Sequence, residues 1–278
     1  MTSDYLSRMK IPHRLVIEEQ EYKKYKSYTK DNQYASLLVL DRKFQAKYET
    51  LDDLGETKSK GPGAARNFAW QHSIDRGDER HWVMDDNIRR FVRFNKNIFY
   101  SCYSGSFFRA MEDFCLRYEN IYMAGPRYFM FVKRKDPEAA VLFNSRIYSC
   151  NLIKNDIPYK WRGRYNEDTI LSLDILRGGF CTIQFNAFLQ EKITTQIMRG
   201  GCSGEFYDRE GTLPKSRLLA QVYPQYAKIV YRFSRIHHYV DYSSFKKNRL
   251  IRRKDIDWAS LEAGGCDNYG MKLSVVED

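Results

Sequence analysis

The chain has 278 residues, 43% apolar and 29% charged, which excludes a disordered polymer and allows one large domain with a buried core. No apolar run reaches the ~18 residues of a membrane-spanning helix, there is no charged-then-apolar leader, and the six cysteines contain no CxxC pair; a cytoplasmic protein with free thiols, no zinc site and no membrane partner is expected. A formal net charge of +11 with 15% aromatic residues favours a polyanionic partner, nucleic acid first, since aromatics interleaved with Arg and Lys suit base stacking as well as core packing.

Residues 1–10 read as a loose lead-in. Arg14 to Glu18 predicts a strand, Glu18 to about Tyr28 a short polar helix, and Ser36 to Asp41 a second buried strand. Such a strand–helix–strand start is what an α/β nucleotide-binding half looks like. Asp52 to Lys60 reads as a mobile loop. Lys60-Gly61-Pro62-Gly63 then opens a helix to about Ile74 that carries Arg66 and Asn67. Pro62 suits the first helical position, and Gly61 and Gly63 allow close backbone approach. A helix N-terminus flanked by Lys60 and Arg66 can bind a diphosphate; an ordinary loop-to-helix junction is the plainer alternative.

His81 to Asn87 is the stretch on which the rest depends. Its apolar run has the length of a buried strand and feeds into Asp85, Asp86 and Asn87, which places hard oxygen ligands where α/β sheets bind their ligands. Such oxygens suit Mg²⁺ or Mn²⁺ together with substrate phosphates, although Asp and Asn also make plain turns. In Ile88 to Lys96, basic and aromatic residues alternate; Arg89, Arg90 and Arg93 either guide an anionic acceptor or form the solvated face of a strand.

Phe107 to Tyr118 has core-helix spacing, Ile121 to Pro126 and Tyr128 to Val132 read as short strands, Lys133-Arg134-Lys135 as a basic turn, and Val141 to Leu152 as a longer strand region. An irregular loop with Trp161 and Arg164 leads to Glu167 and Asp168 at the start of a helix stopped by Gly178 and Gly179. These carboxylates either cap the helix or present a general base. Cys181 to Leu189 predicts a strand, Thr194 to Thr212 a Gly-rich flexible loop or lid, and Lys215 to Val222 a helix. Ala227 to Tyr242 reads as one or two strands holding His237 and His238. Adjacent strand residues face opposite ways, so only one of these can join a given site. The densest basic run, with Lys246, Lys247 and Arg249, is either a solvated tail or a nucleic-acid contact.

Taken in order, Gly63-Ala64-Ala65-Arg66-Asn67, Trp82-Val83-Met84-Asp85-Asp86-Asn87, Tyr165-Asn166-Glu167-Asp168-Thr169 and His237-His238-Tyr239-Val240-Asp241-Tyr242 resemble the motifs of GT-A glycosyltransferases. More narrowly, their wording resembles the phage TET/JBP-associated glycosyltransferases, to which the addition of sugars to 5-hydroxymethylpyrimidines in phage DNA is ascribed. The matching pieces span roughly residues 12–245. The resemblance implies an α/β, GT-A-like single domain over 1–278, a Rossmann-like mixed central sheet flanked by helices. Residues 1–90 would bind the nucleotide sugar, 91–245 would hold acceptor and catalyst, and 246–278 would form a basic extension.

It also implies roles. Asp86, with Asn87 where the family motif ends in Asp, would hold Mn²⁺ or Mg²⁺ together with His238 or His237. Arg66, Asn67, Gly63, Lys60, Glu18 and Asp85 would bind a nucleotide sugar such as UDP-glucose. Asp168, with Glu167 as its rival, would be the base of an inverting transfer. The acceptor would be 5-hydroxymethylcytosine or its uracil counterpart in DNA, inside an infected host cell. DNA would be met by Arg89, Arg90, Arg93, Trp161, Arg164, Lys246, Lys247 and Arg249, with Trp161 or Tyr165 stacking on a flipped base. Other readings are a transferase acting on protein or a small molecule, a metal-dependent nuclease, and a non-catalytic DNA-binding module.

Overall fold

A computed structural model describes residues 1–52, 60–133, 139–193, 213–232 and 234–263. The expected loops at 53–59 and 194–212, most of the basic turn at 133–135 and the last part of the C-terminal extension lie outside these residues.

The chain opens with helix α1 (Thr2–Arg8), not a loose lead-in. Its polar sequence hides three buried apolar side chains, Tyr5, Leu6 and Met9 just beyond it, which pack on the sheet. Strand β1 (His13–Ile17), helix α2 (Tyr22–Thr29) and strand β2 (Ala35–Val39) form a β-α-β unit whose two strands run parallel from His13 opposite Ala35 to Ile17 opposite Val39. Then come α3 (Arg42–Ala46), capped by the Asp41 carboxylate on the Lys43 amide, and α4 (Gly63–Asp75).

The rest of the chain builds a seven-stranded sheet. Its strands are β3 (Arg80–Met84), β4 (Ile88–Asn95), β5 (Ile98–Ser101), β6 (Ile121–Tyr128), β7 (Val141–Phe143), β8 (Cys150–Lys154) and β9 (Cys181–Lys192), with helix α5 (Ser106–Leu116) before β6 and α6 (Glu167–Arg177) before β9. The order is β3-β8-β6-β9-β4-β5, with β7 also on β9. β6 and β9 are parallel and the other pairs antiparallel, so the sheet is mixed and the architecture Rossmann-like. Helix α7 (Leu213–Val222), the hairpin β10 (Ala227–Arg232) and β11 (Arg235–Val240), and α8 (Trp258–Ala263) complete the described chain.

Two cores explain the layering. On one face α1 and α5 bury Tyr5, Phe107, Phe108 and Met111 against Phe91, Ile121, Phe185 and Phe188. On the other, α4 and α6 bury Trp70, Leu171 and Ile175 against Val83, Met123 and Ile153. Strand β3 shows the period of two directly: His81 and Val83 are buried, Val83 in the second core, while Trp82 and Met84 pack on the first. A third cluster joins Ile170 and Leu173 of α6 to Leu219 and Tyr223.

Two expected strands are redrawn. β6 runs through Pro126 to Tyr128 and then turns into a 3-10 helix at Phe129–Phe131. The stretch 141–152 is broken at Asn144 (φ 54°) and Ser149 (φ 66°), both left-handed, which detaches 144–149 from the sheet. Nor is the start of the basic run a tail. Asn144 Nδ2 donates to the carbonyls of Phe245 and Asn248, and Asn120 bonds Arg249 O and Ile251 N, strapping this segment to the core. β4 crosses position 90, and of the first 90 residues only β3 and the start of β4 belong to the large sheet, β1 and β2 forming a sheet of their own. Cys102, Cys115, Cys150 and Cys181 are free thiols, and no helix among the described residues is long and apolar enough to cross a membrane.

Candidate active site

Strand β3 delivers Asp85, Asp86 and Asn87 to a turn fixed from two sides. The Asp85 amide donates to Ser149 O at 2.7 Å. From the other side Thr2 reaches in: its hydroxyl donates to Asp85 O (2.6 Å) and accepts from Ile88 N (2.8 Å), and its own amide donates to Asp86 O (3.1 Å). The first residue of α1 therefore staples both ends of the acidic turn.

The Asp85 carboxylate is the middle of a charge chain. Arg66, from α4, places Nη2 2.7 Å from Asp85 Oδ1 and Nη1 2.9 Å from Glu167 Oε1. Its guanidinium also lies 4.7 Å from the Trp161 ring. Lys192, the last residue of β9, sits 3.0 Å from Asp85 Oδ2 and donates to Ser149 Oγ at 2.7 Å. Burial opposes the charge on Asp85, but Arg66 and Lys192 outweigh it and hold the carboxyl below its usual range. Glu167 is pushed up, by burial first, with Arg66 opposing and Asp168 adding to the rise.

Asn166 precedes α6 in a left-handed conformation (φ 53°), with its side-chain amide on Lys215 O at 2.8 Å. The two carboxylates that follow have different partners. Glu167 pairs with Arg66, whereas Asp168 Oδ1 accepts the Thr169 amide (2.6 Å) and hydroxyl (3.2 Å). Asp168 interacts electrostatically with Arg146 and His238. In the β10–β11 register His238 lies opposite Ile229 and His237 opposite Val230, so the two imidazoles take opposite faces. Arg235 Nε donates to His237 Nε2 at 3.1 Å. His238 is held neutral, its pKa lowered to about 4 by burial, then by Lys215 and Arg146, with Asp168 pulling the other way.

Asp85, Asp86, Asn87, Arg66, Glu167, Asp168, His237 and His238 thus line one cleft of about 1730 Å³, which also takes in Leu15 to Ile17 of β1 and part of α2. That volume exceeds the roughly 300–1,000 Å³ of a single small-molecule site. Other candidates have structural partners. Lys60 Nζ donates to Gln45 O, and Glu18 caps a 3-10 turn while accepting from Gln45. Asn67 closes on the Trp161 backbone from both ends of its amide. Gly63 makes room for the Tyr48 ring, whose hydroxyl would stand 1.9 Å from an added Cβ.

The expected DNA contacts divide in the same way. Arg89, Lys246, Lys247 and Arg249 are exposed. Arg90 is ion-paired with Glu191 and lies over Phe129; Arg93 donates to Ala187 O and lies over Phe188. Trp161 corrects the expectation: it is 1% exposed, packed in the interior and away from the cleft, whereas Arg164 and Tyr165, though largely buried, border the cleft. Residues the sequence did not mark are Thr2, Arg146, Ser149 and Lys192. None of them stands in a stretch that the sequence made conspicuous.

The donor set does not make a preformed metal centre. Asp85 is neutralised by two side-chain cations, Asn87 turns its Oδ1 into the interior, and Asp86 stands exposed. Among the described residues no three His, Cys, Asp or Glu side chains are arranged to hold an ion.

A family model described as TET-Associated Glycosyltransferase matches residues 1–201. Searches of curated proteins and of solved structures gave no match.

Proposed function

Given that the chain belongs to the TET-Associated Glycosyltransferase family, we propose that it moves a sugar from a nucleoside-diphosphate sugar, UDP-glucose or a relative, to the hydroxymethyl oxygen of a 5-hydroxymethylpyrimidine in DNA. Glycosyl transfer is the family's activity; the donor, the acceptor and the roles below are this reading. The observation that carries it is the Glu167–Asp168 pair, set at the head of α6 in the same cleft as Asp85 and Arg66. The cleft's size supports room for a donor and an extruded base together. The net charge of +11 supports a polyanionic acceptor.

In this reading Asp168 is the base. Thr169 fixes one of its oxygens and leaves the other for the acceptor hydroxyl. The acceptor oxygen attacks the anomeric carbon, the bond from that carbon to the diphosphate breaks on the opposite face, and the proton passes to Asp168, with inversion. Arg66 orients the donor while staying tied to Asp85 and Glu167. No step is assigned to a divalent ion.

The test is transfer to a duplex containing 5-hydroxymethylcytosine, read by mass spectrometry over a panel of UDP-sugars, with Mn²⁺ and again with EDTA. A pentose or hexose mass on the base is the expected result, and the EDTA arm decides whether a metal enters through Asp86 and the substrate phosphates. Asp168→Asn is expected to abolish transfer while UDP-sugar still raises the melting temperature. Loss of that shift would remove Asp168 from the role of base. UDP-sugar hydrolysis with no transfer to DNA would move the acceptor to protein or a small molecule.

A further inference from the structure

The cleft holds a second cationic centre. Arg146 lies on the 144–149 segment between β7 and β8, half-buried, with its guanidinium 4.4 Å from the Tyr148 ring. Among the described residues no carboxylate forms an ion pair with it; Asp168 acts on it only at longer range. Burial opposes its charge, but Asp168, Tyr242 and Tyr148 outweigh that effect, so it stays protonated. The Tyr148 hydroxyl beside it is buried and has the Arg146 guanidinium as its side-chain neighbour. Lys215, at the start of α7, lines the same cleft, and both cations act on His238.

A partly desolvated guanidinium with no ion-paired carboxylate among the described residues is costly unless an anion meets it, and its planar fork matches a phosphate bidentately. The Tyr148 phenol stands at the same spot. Position then selects among phosphates. Arg66 belongs to α4, which packs against β1 of the β-α-β unit. Arg146 shares Asp168 with Arg66 but also acts on His238, whose hairpin packs on α7. With Asp168 between the two arginines, the α7 side, opposite α4 and β1, is left for the acceptor.

We infer that Arg146, with Lys215 lining the same cleft, is a phosphate subsite for the DNA acceptor, gripping a phosphodiester next to the nucleotide presented to Asp168. This rests on the reading that DNA is the acceptor. The alternative source of the same chemistry is the donor's diphosphate.

The experiment is fluorescence anisotropy of a labelled duplex containing 5-hydroxymethylcytosine over a salt series, with wild type, Arg146→Gln and Arg146→Lys. Melting scans with and without UDP-glucose run alongside. Arg146→Gln is expected to bind DNA about tenfold more weakly, with a salt slope reduced by about 1, while Arg146→Lys keeps the slope. Both variants are expected to keep the UDP-glucose shift. Unchanged DNA affinity and slope in Arg146→Gln overturn the inference. So does loss of the UDP-glucose shift in both folded variants with DNA binding intact, which hands the phosphate to the donor. Wild type that transfers to DNA while Arg146→Gln binds it normally sinks this inference alone; wild type that neither binds nor glycosylates DNA sinks the proposed function with it.

Discussion

The two cationic centres of the cleft are built on opposite plans. Arg66 and Lys192 are locked into a chain with Asp85 and Glu167, each cation facing a carboxylate at 3.0 Å or less. Arg146 has a ring where those have carboxylates. Neutralised charges hold a framework in place, whereas a charge without a counter-ion is poised to receive one. Family motifs point at the first centre, because Arg66, Asp85 and Glu167 sit in the conspicuous stretches of sequence; the second had no motif to announce it.

The comparison breaks hardest at Arg66. Arg66→Met leaves Glu167 without its cation and Asp85 with Lys192 alone, and is expected to cost about 3–5 kcal/mol in urea unfolding. Arg66→Lys is expected to recover little, because one ammonium cannot hold Asp85 and Glu167 in the bidentate geometry of the fork. A loss below ~1 kcal/mol for Arg66→Met would mean the chain is not a framework. Next is Thr2. Thr2→Val keeps the shape but strips Asp85 O and Ile88 N of their partner, for about 1–3 kcal/mol, and Thr2→Ser should restore it. Equal unfolding midpoints for valine and serine would show that the staple holds nothing.

Acid sharpens the contrast between centre and core. His81 is buried, its Nδ1 2.6 Å from Asn155 Oδ1, and its pKa is lowered to about 4 from 6.5 by burial above all. The unfolded chain therefore binds more protons than the fold between these values. Stability is expected to fall as pH drops from 6.5 to about 4 and to level off below, as far as this group is concerned. His81→Gln should flatten that part of a melting-temperature profile. The smallest effect belongs to Arg89, which is exposed. Arg89→Ala is expected to change stability by less than about 0.5 kcal/mol, and a larger drop in denaturation would reveal a contact for it.

Where the sequence was legible, local pattern and tertiary demand agreed. The β-α-β start, the helix after Pro62, the amphipathic α5 and the strand into Asp85 each announce themselves within a dozen residues. Helix α1 was missed because its three buried apolar side chains lie among Ser, Asp and Arg, and propensity cannot see the sheet that covers them. Arg66, Glu167 and Asp168 were legible because they stand in motifs. Lys192 was not, since it meets Asp85 across 107 residues of chain, a separation over which no periodicity speaks. Trp161 misled for a related reason: an aromatic in a basic loop looks like a stacking platform until Arg66 and the Asn67 amide fix it in the interior.

The strap near residue 248 bears on the order in which the molecule is made. Asn248 Nδ2 donates to Leu176 O and Phe180 O, at the end of α6 and just beyond it, while Asn166 at the helix's start is bonded to Lys215 O. Both ends of the helix that carries Glu167 and Asp168 are thus secured by residues that leave the ribosome later than the helix itself. The sheet can form first; the carboxylate pair gets its final placement only once α7 and the strap have docked. A chain released before residue 248 would have the sheet and the acidic turn but a helix held at one end.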